Sequence, residues 1–369
     1  MGDVFNPWEI KGDIDYDKLV KEFGIKPIEA IPDSFKDSLL VRRGVIFAER
    51  DLKLILDAKK EGKPFSMMTG LMPTGHFHIG HMLVAQHMIL YQQLGAKLYI
   101  AVADIEAYTA RGQSLEDSRK IAVEQYIKNY IALGLKPENC EIYFQSYRSK
   151  DEKKANKFYQ LQNLLSNHGT FNEFKAVYGE ISPGKMMAAL LQAADMLHPQ
   201  LPEFGGKQPV VVPVGIDQDP HLRLARDLAK KIKGFDLVPL SSTYHRFMPG
   251  LGGGKMSSSE PSSYIAMTDD AKTVKKKINK YAFSGGKETV EEHRKLGGDP
   301  DIDVSFQYLK MFFEPDDDKL NKIEEDYRAG KLLTGELKAI LIDKINAFLG
   351  GHQKKMETAE EQIDKYLSL

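Results

Sequence analysis

Through the middle of the chain, short runs of apolar residues alternate with longer segments in which apolar residues recur every three or four positions. The runs have the length and composition of buried strands, and the segments between them have the spacing of amphipathic helices. Four runs predict strands, at residues 65–69, 97–103, 141–145 and 209–214. Alternation of this kind predicts an α/β protein with a doubly wound parallel sheet, which binds ligands at the carboxyl ends of its strands.

Local capping signals indicate where two of the helices begin and end. Ser114 is followed three residues later by Asp117, and Gly134 comes where the same helical pattern stops. A hydroxyl side chain at the start and a glycine just past the end are typical of helix termini. Asp219 followed by Pro220 predicts the start of another helix, with Asp219 as its N-cap.

The segments on either side of the alternating pattern differ from it. Residues 1–62 precede the first clear strand–helix unit, and we expect them to form an N-terminal extension packed against it. Residues 63–269 predict the α/β domain, with a helical insertion at about residues 150–200. Residues 270–369 have helical spacing almost throughout, which predicts a second, all-helical domain.

The most informative stretch is residues 65–81, FSMMTGLMPTGHFHIGH. It has the pattern of a strand, a tight Pro-Thr-Gly turn and the start of a helix. A glycine beside a helix N-terminus lets backbone N–H groups approach a phosphate, whose negative charge the helix dipole favours. His78 and His81 lie on one side of the first turn and offer donors for charge developing on a phosphate. Such a pair also occurs at metal sites and in protein cores, and by itself it is a weak signal.

A glycine-rich stretch at residues 252–259, GGGKMSSS, is the second candidate. It carries Lys255 and three hydroxyl side chains, among them Ser257 and Ser258. One cation and several hydroxyls suit a clamp on a polyphosphate. By itself, such a stretch also fits a solvated linker.

Polar residues at two further places fit a ligand site. Gln192 and Asp195 are three residues apart on an otherwise apolar helical face. They are either surface groups or buried groups that need hydrogen-bond partners, which a polar ligand would supply. Asp217 and Gln218 follow the fourth predicted strand, where a carboxylate can hold ribose hydroxyls and an amide can contact a small ligand.

Five lysines lie between residues 272 and 280, on a predicted helix. A run of like charge is usually a solvated helix face. In its place just after a candidate nucleotide clamp, this run also fits contact with an RNA backbone, which would make binding salt-dependent.

Composition narrows the class of protein. The 369 residues hold 51 Lys+Arg and 52 Asp+Glu, a formal net charge of -1, which excludes a surface coated in positive charge but not a local basic face. The single cysteine, Cys140, excludes an intramolecular disulfide and a cysteine-based zinc site. The sequence has no basic-then-apolar leader pattern and no apolar run of membrane-spanning length. We therefore expect a cytoplasmic protein that does not enter membranes.

The HIGH sequence at residues 78–81 and the KMSSS sequence at residues 255–259 resemble, in this order, the two signature motifs of class I aminoacyl-tRNA synthetases. Four further stretches resemble the tryptophanyl-tRNA synthetases, the last three those of the archaeal and eukaryotic type: GIDQDPHLRLARDLA (215–229), AFSGGKETVEEHRKLGG (282–298), DVSFQYL (303–309) and LLTGELK (332–338). The resemblance implies a Rossmann-like catalytic domain, a C-terminal helical anticodon-binding domain and a homodimer. The implied reaction joins L-tryptophan and ATP as tryptophanyl-adenylate, releases pyrophosphate and then charges tRNA(Trp).

The resemblance also implies which residues bind ATP. They come from the two motifs, the turn before the first of them and the turn after the fourth strand: Gly70, Thr74, Gly75, His78, Gly80, His81, Gly215, Asp217, Lys255, Met256, Ser257 and Ser258. Five of these are implied to act in catalysis by contacting the phosphates: His78, His81, Lys255, Ser257 and Ser258. Mg²⁺ is implied as an ion carried by the phosphates, with no protein ligand of its own.

For the amino acid, the resemblance implies a pocket of five residues: Met68, Glu106, Gln192, Asp195 and Gln218. This pocket departs from the archaeal and eukaryotic pattern, which has Tyr or Phe in place of Met68, Gln in place of Ala101 and Pro in place of Asp195. Bacterial members use an aspartate at the last position to accept the indole N–H. We therefore hypothesise that Asp195 accepts the indole N–H, that Met68 packs on the ring and that Glu106 supports the network.

Three other functions stay open at this point. A tyrosyl-tRNA synthetase also uses an aspartate at this helix position, although that family normally has a tyrosine where this chain has Met68. A different nucleotidylyltransferase can share the turn of the first motif, but it lacks a long helical domain after the second. A non-catalytic synthetase-like protein usually loses one motif, and both are intact here.

Overall fold

The fold, given by a computed structural model, is described for residues 4–6, 9–11, 15–254, 256 and 260–367. Its strands fall into a small N-terminal hairpin and one seven-stranded sheet. The strands are β1 (Val4–Asn6), β2 (Glu9–Lys11), β3 (Lys26–Pro27), β4 (Ile46–Arg50), β5 (Ser66–Leu71), β6 (Lys97–Val102), β7 (Cys140–Phe144), β8 (Val210–Gly215) and β9 (Ser241–His245).

Parallel pairing dominates the main sheet, whose strand order is β3-β4-β9-β8-β5-β6-β7. The five strands from β9 to β7 are parallel, while β4 pairs antiparallel with β9 and β3 pairs antiparallel with β4. The carboxyl ends of the parallel strands therefore meet at one edge of the sheet, where a ligand site is expected.

Helices connect and cover these strands. In chain order the α-helices are α1 (Tyr16–Phe23), α2 (Leu39–Arg42), α3 (Leu52–Lys60), α4 (Met82–Gln93), α5 (Asp104–Arg111), α6 (Leu115–Ile121), α7 (Lys128–Leu133), α8 (Glu152–Leu165), α9 (Phe171–Tyr178), α10 (Pro183–Leu197), α11 (Asp219–Lys231), α12 (Ala271–Tyr281), α13 (Val290–Leu296), α14 (Val304–Tyr308), α15 (Asp317–Arg328) and α16 (Thr334–Ala359). Across the described residues, none of them is long and apolar enough to cross a membrane.

The sheet is buried on both faces. Successive residues of β6 show this, because Leu98 and Ile100 belong to one hydrophobic cluster and Tyr99 and Ala101 belong to the other. A strand covered on both sides needs apolar residues at every position, which is why its sequence is a continuous apolar run.

The four strands predicted from such runs are confirmed as β5, β6, β7 and β8. The predicted caps of α6 and α7 are also confirmed. Ser114 accepts a hydrogen bond from the backbone N–H of Asp117 at 3.0 Å, and Gly134 ends α7 in the left-handed conformation.

The predicted N-cap role of Asp219 is wrong. Helix α11 begins at Asp219 itself, and Gln218 occupies the N-cap position. The fully buried carboxylate of Asp219 instead accepts hydrogen bonds from Arg50, at 2.9 Å, and from the hydroxyl of Tyr244. An ion pair with a distant strand outweighs the local capping preference, which sequence spacing alone cannot reveal.

Three strands of the main sheet, β3, β4 and β9, were not predicted. Strand β9 is the clearest case, because its serines and threonine are buried with their hydroxyls satisfied. Ser241 donates to the carbonyl of Asp51 at 2.8 Å, and Ser242 donates to that of Val212 at 2.6 Å. Strands β3 and β4 come from the segment expected to be an extension, so that segment contributes directly to the sheet.

Helices α12–α16 form the C-terminal layer and return the chain to the sheet. His352 of α16 hydrogen-bonds to Asn129 of α7 at 2.7 Å. Beyond α16, the carbonyl of Tyr366 accepts from the backbone N–H of Ile142 at 2.8 Å, and Leu367 forms a parallel bridge to the same residue. The far edge of β7 is therefore covered by residues that follow the last helix.

Candidate active site

The turn between β5 and α4 is held by its own backbone and by one tyrosine. The N–H of Thr74 donates to the carbonyl of Met72 at 2.8 Å, and the carbonyl of Thr74 accepts from the hydroxyl of Tyr126 at 2.8 Å. Gly75 has a φ of 64°, a left-handed conformation that favours glycine. Gly70, at the end of β5, is exposed and lies beside the pocket described below.

His78 and His81 stack on each other at the start of the following helix. Their ring centroids are 3.8 Å apart. His78 caps a single 3-10 turn, Ile79–His81, of which His81 is the last residue. His78 Nδ1 accepts from the backbone N–H of Gly80 at 3.2 Å, and His81 Nδ1 accepts from that of His78 at 3.1 Å. An imidazole that accepts through Nδ1 carries its proton on Nε2, so each ring keeps an Nε2–H donor.

Both imidazoles are neutral at physiological pH. Burial lowers the pKa of His78 to about 4. Burial, together with the neighbouring His78 ring, places the pKa of His81 well below its usual value. The pair therefore offers donors without fixed positive charge, which can follow negative charge as it moves between phosphate oxygens.

The second motif contacts the first one directly. Met256 lies over Gly80, where an added Cβ would come 2.7 Å from the methionine sulfur. Just after the loop, the backbone N–H of Ile79 donates to the carbonyl of Ile265 at 3.1 Å, and the ring of Tyr264 lies 4.8 Å from that of His78. Lys255, Ser257 and Ser258 lie outside the described residues.

The turn after β8 brings together the predicted ribose-side residues. Asp217 is buried, and its carboxylate accepts from the side-chain amide of Gln218 at 3.1 Å. A Cβ at Gly215 would lie 2.7 Å from the Asp217 carboxylate and 2.9 Å from the ring of Phe247, so only glycine fits this position.

A cavity of about 640 Å³ opens at the carboxyl edge of the sheet. All five residues predicted to bind the amino acid line it, together with Gly70 and Gly215 of the predicted ATP site. Its wall is partly apolar, formed in part by Met68, Ala101 and Phe247, and polar side chains form much of the rest. A concave pocket that combines apolar walls with convergent polar groups is typical of a small-molecule site.

One polar group of this cavity is the pair formed by Glu106 of α5 and Gln192 of α10. The side-chain amide of Gln192 donates to the Glu106 carboxylate, which is buried. Burial raises the pKa of Glu106 to about 7, although the hydrogen bond from Gln192 opposes the rise. This carboxyl is therefore poised to gain or lose a proton near neutral pH.

Asp195 is the other acidic group, and it is buried rather than on the surface. Its carboxylate accepts from the hydroxyl of Tyr143 at 2.6 Å and from the side-chain amide of Gln145 at 2.7 Å. Burial raises the pKa of Asp195 to about 7, against the lowering effect of these two donors. A carboxylate has about four lone-pair sites, so room remains for a donor from a ligand.

Sequence reasoning missed the residues that support this pocket from β7 and β9. Tyr143 and Gln145 are two apart on β7 and its end, and both face Asp195. His245 and Phe247 line the cavity at the end of β9. Gln145 is the last residue of a predicted strand, and its position at the carboxyl end was a usable signal for it. Strand β9 itself was not predicted, so nothing pointed to His245.

Known proteins are similar to this chain over nearly its whole length. The family described as tRNA synthetases class I (W and Y) matches residues 59–350. The tryptophan–tRNA ligase of Aeropyrum pernix is 45% identical over 364 residues, covering 96% of this chain and 95% of that protein. That of Methanocaldococcus jannaschii is 44% identical over 367 residues, covering 98% and 97%. The chain belongs to the tryptophanyl-tRNA synthetases.

Solved structures of this family share the fold. The crystal structure of the tryptophanyl-tRNA synthetase from Aeropyrum pernix K1 superposes with a TM-score of 0.90 at 44% identity, covering 96% of both chains. That of Plasmodium falciparum gives 0.83 at 34% identity. The chain is thus an aminoacyl-tRNA synthetase with the class I, Rossmann-like catalytic fold.

Proposed function

We propose that the chain is a tryptophan–tRNA ligase, which activates L-tryptophan with ATP and transfers the tryptophanyl group to tRNA(Trp). Its family membership supports the overall reaction. The observation that supports the choice of substrate is the match to tryptophan–tRNA ligases over nearly the whole chain. The pocket offers an acceptor for the indole N–H in Asp195, a buried carboxylate held by two donors and able to accept a third.

The first step is attack of a tryptophan carboxylate oxygen on the α-phosphorus of ATP. A carboxylate O–P bond forms, the bond from the α-phosphorus to the bridging oxygen breaks, and pyrophosphate leaves. Because charge moves between phosphate oxygens, positioned donors are the main catalytic need. The Nε2–H groups of His78 and His81 would supply two of them, and Gly80 would let the nucleotide approach the helix backbone.

The leaving pyrophosphate needs a cation. In this proposal Lys255, with Ser257, Ser258 and the backbone around Met256, clamps it from the second motif. Mg²⁺ travels with the phosphates and supplies further charge neutralisation. Asp217 and Gly215 would hold the ribose, while Gly70, Thr74 and Gly75 border the phosphate path.

In the pocket, Asp195 would accept the indole N–H and Met68 would pack against the ring. Gln192 and Gln218 would contact the α-amino group and nearby atoms, with Glu106 bonded behind Gln192. Ala101 lines the pocket as a small side chain and leaves room for the ring. A tyrosine phenol could also donate to Asp195, so tyrosine is the rival substrate to be tested.

A homodimer that works in the cytoplasm completes the proposal. Large apolar side chains are exposed on neighbouring elements around the helical insertion: Tyr108 at 61%, Tyr147 at 46%, Leu164 at 42% and Met187 at 42% exposure. Three of them lie on α5, α8 and α10, and α10 contacts the other two helices. Exposed apolar side chains on neighbouring helices support burial in a subunit interface.

The test is pyrophosphate exchange with ATP, in which tryptophan and tyrosine are offered separately. We expect exchange with tryptophan alone. Exchange with tyrosine alone would replace the proposed substrate by the rival. ATP binding without exchange for either amino acid would mean that the chain is a non-catalytic member of the family.

A further inference from the structure

Arg148, just after β7, is fully buried, although it has no part in the proposed chemistry. Its guanidinium lies 3.9 Å from the ring centroid of Tyr143 and 4.5 Å from that of Phe204. Its Nη1 donates to the Glu141 carboxylate at 2.6 Å. Removing a cation from water is costly, and a buried ion pair often stabilises a fold no better than apolar residues of similar size. Its position therefore calls for an explanation other than stability.

One connection from Arg148 to the pocket runs through His198. Arg148 Nη2 lies 2.8 Å from His198 Nε2. A guanidinium can only donate, so Nε2 accepts and the imidazole proton is on Nδ1. His198 Nδ1 is 2.8 Å from the backbone carbonyl of Asp195, to which it then donates. The arginine thereby fixes the tautomer that holds the backbone of Asp195.

A second connection runs through Tyr143. The guanidinium packs on the face of this ring, and the hydroxyl of the same ring donates to Asp195 Oδ1 at 2.6 Å. Arg148 thus contacts both the group that holds the backbone of Asp195 and one of the two groups that hold its carboxylate.

We propose that Arg148 is a positioning residue for Asp195, which fixes this carboxylate through His198 and Tyr143 and favours its ionised form, the form that accepts the indole N–H. The inference rests on the proposed function and deepens it, because it names the source of the charge that makes the aspartate a good acceptor. Arg148 is not one of the described residues that line the cavity, so its charge is not placed directly against the α-amino group of a bound amino acid.

The charged and titratable groups around Asp195 set the sign of the effect. Burial raises its pKa and the Glu106 carboxylate adds to the rise, whereas Tyr143, Gln145 and the positive charge of Arg148 lower it. His198 is neutral, since burial and Arg148 hold its pKa well below its usual value. The hydroxyl of Tyr159, whose pKa is raised by burial, is neutral as well. Loss of Arg148 therefore leaves Asp195 protonated up to a higher pH.

The test follows the KM for tryptophan and the KM for ATP in pyrophosphate exchange from pH 6 to pH 9. Arg148→Gln removes the charge but keeps an amide that can donate to His198, and Arg148→Met removes both. We expect the midpoint of the tryptophan profile to rise by about one pH unit in either variant, with about a tenfold loss of tryptophan affinity below pH 7 that recovers by pH 9. Arg148→Lys should bring the midpoint back toward that of the unmodified protein.

The control is Lys154→Met, because Lys154 Nζ lies 5.9 Å from the same Phe204 ring and makes no hydrogen bond to His198. It should leave the midpoint unchanged. A purely structural role for Arg148 would raise both KM values at every pH without moving the midpoint, and that result overturns the inference. If Arg148→Met does not fold, the midpoint measured for Arg148→Gln is sufficient to test the inference.

A tryptophan analogue with sulfur in place of the indole N–H separates this inference from the proposed function. Equal affinity of the unmodified protein for tryptophan and the analogue at pH 8 would contradict the proposed hydrogen bond from the indole N–H to Asp195. The inference about Arg148 would then be wrong as well. Discrimination between the two ligands combined with an unmoved midpoint in Arg148→Gln would overturn the role of Arg148 alone.

Discussion

The sulfur of Met256 lies over Gly80, and the ring of His78 flanks the same glycine. A Cβ at residue 80 would come 2.7 Å from the methionine sulfur, 3.0 Å from His78 Cε1 and 3.1 Å from His78 Nδ1. The methionine can move aside, but the histidine is held as the cap of the helix. Gly80 is therefore a residue at which the first motif contacts the second.

Gly80→Ala should for this reason slow pyrophosphate exchange without unfolding the protein. We expect a loss of about tenfold or more, because the His78 ring and the donor it offers would be displaced. The free energy of unfolding should change by less than about 1 kcal/mol. Gly350→Ala is the control, since a Cβ there meets nothing within 4 Å and should stabilise α16 with no effect on exchange. Unchanged exchange in Gly80→Ala would show that the contact is unimportant for activity.

Asp195→Asn should raise the KM for tryptophan about tenfold or more and leave the KM for ATP within about twofold. The variant can still fold. Gln145 Oε1 is buried without a partner among the described residues, so a flip of this amide would accept from the new Asn side chain. The neutral amide is nevertheless a weaker acceptor for the indole N–H. The exposed Asp227→Asn serves as the control. An unchanged tryptophan KM would contradict the assignment of Asp195.

Glu106→Gln should stabilise the fold at pH 8 and have little effect at pH 5. The pKa of Glu106 is raised from 4.5 to about 7, so the folded state is favoured below pH 4.5 and loses that advantage as pH rises through 7. Glutamine does not ionise and can still accept from Gln192. At pH 8 the gain in unfolding free energy should be on the order of 3 kcal/mol, measured by chemical denaturation.

Glu173→Gln is the comparison variant for this measurement, because its expected effect on stability at pH 8 has the opposite sign. A backbone hydrogen bond from Thr170, followed by bonds with Lys231, lowers the pKa of Glu173 to about 2. Its contribution to stability is present above the unfolded pKa and is lost as pH falls, so Glu173→Gln should destabilise the protein at pH 8. Equal responses of the two variants would mean that burial of Glu106 does not control its protonation.

The lysines on the outer face of α12 should affect the tRNA step alone. Lys272, Lys275 and Lys276 are exposed, whereas Lys277 pairs with Asp269 at 2.6 Å. Changing Lys272, Lys275 and Lys276 to glutamine should raise the KM for tRNA and make the slope of log affinity against log salt shallower by up to about 2 to 3, as each lost phosphate contact removes about 0.7 to 0.9. Pyrophosphate exchange should be unaffected.

The matched control removes the same charge elsewhere, from three exposed lysines in and after α3: Lys53, Lys60 and Lys63. Equal losses in the two triple variants would show a general charge effect and would leave α12 without a specific role.

The apolar runs predicted four of the five parallel strands, because a strand that is buried on both faces needs apolar residues at nearly every position. Strand β9 was missed because its burial depends on hydroxyl partners from other parts of the chain, such as Tyr91 bonded to Thr243 at 2.9 Å. The strand ends likewise indicated where Asp217 and Gln218 would lie.

The environment of Asp195 was not predictable in the same way. Helical spacing left it open whether this residue was on the surface or buried. Burial follows from the packing of α10 onto the sheet, where it meets the side chains of Tyr143 and Arg148 from about fifty residues earlier in the chain. Side-chain networks of this kind depend on how two distant elements pack, and the spacing of residues along one sequence does not indicate that packing.

The covering of β7 by Tyr366 and Leu367 has a consequence for synthesis in the cell. Until the last helix has emerged from the ribosome, the growing chain presents an unpaired strand edge, which is a template for association with other chains. Each nascent polypeptide thus carries this hazard for most of its translation, and a premature stop before residue 366 would leave it permanently exposed. Ribosome-bound fragments of increasing length should therefore lose their tendency to aggregate only when this segment is free to dock.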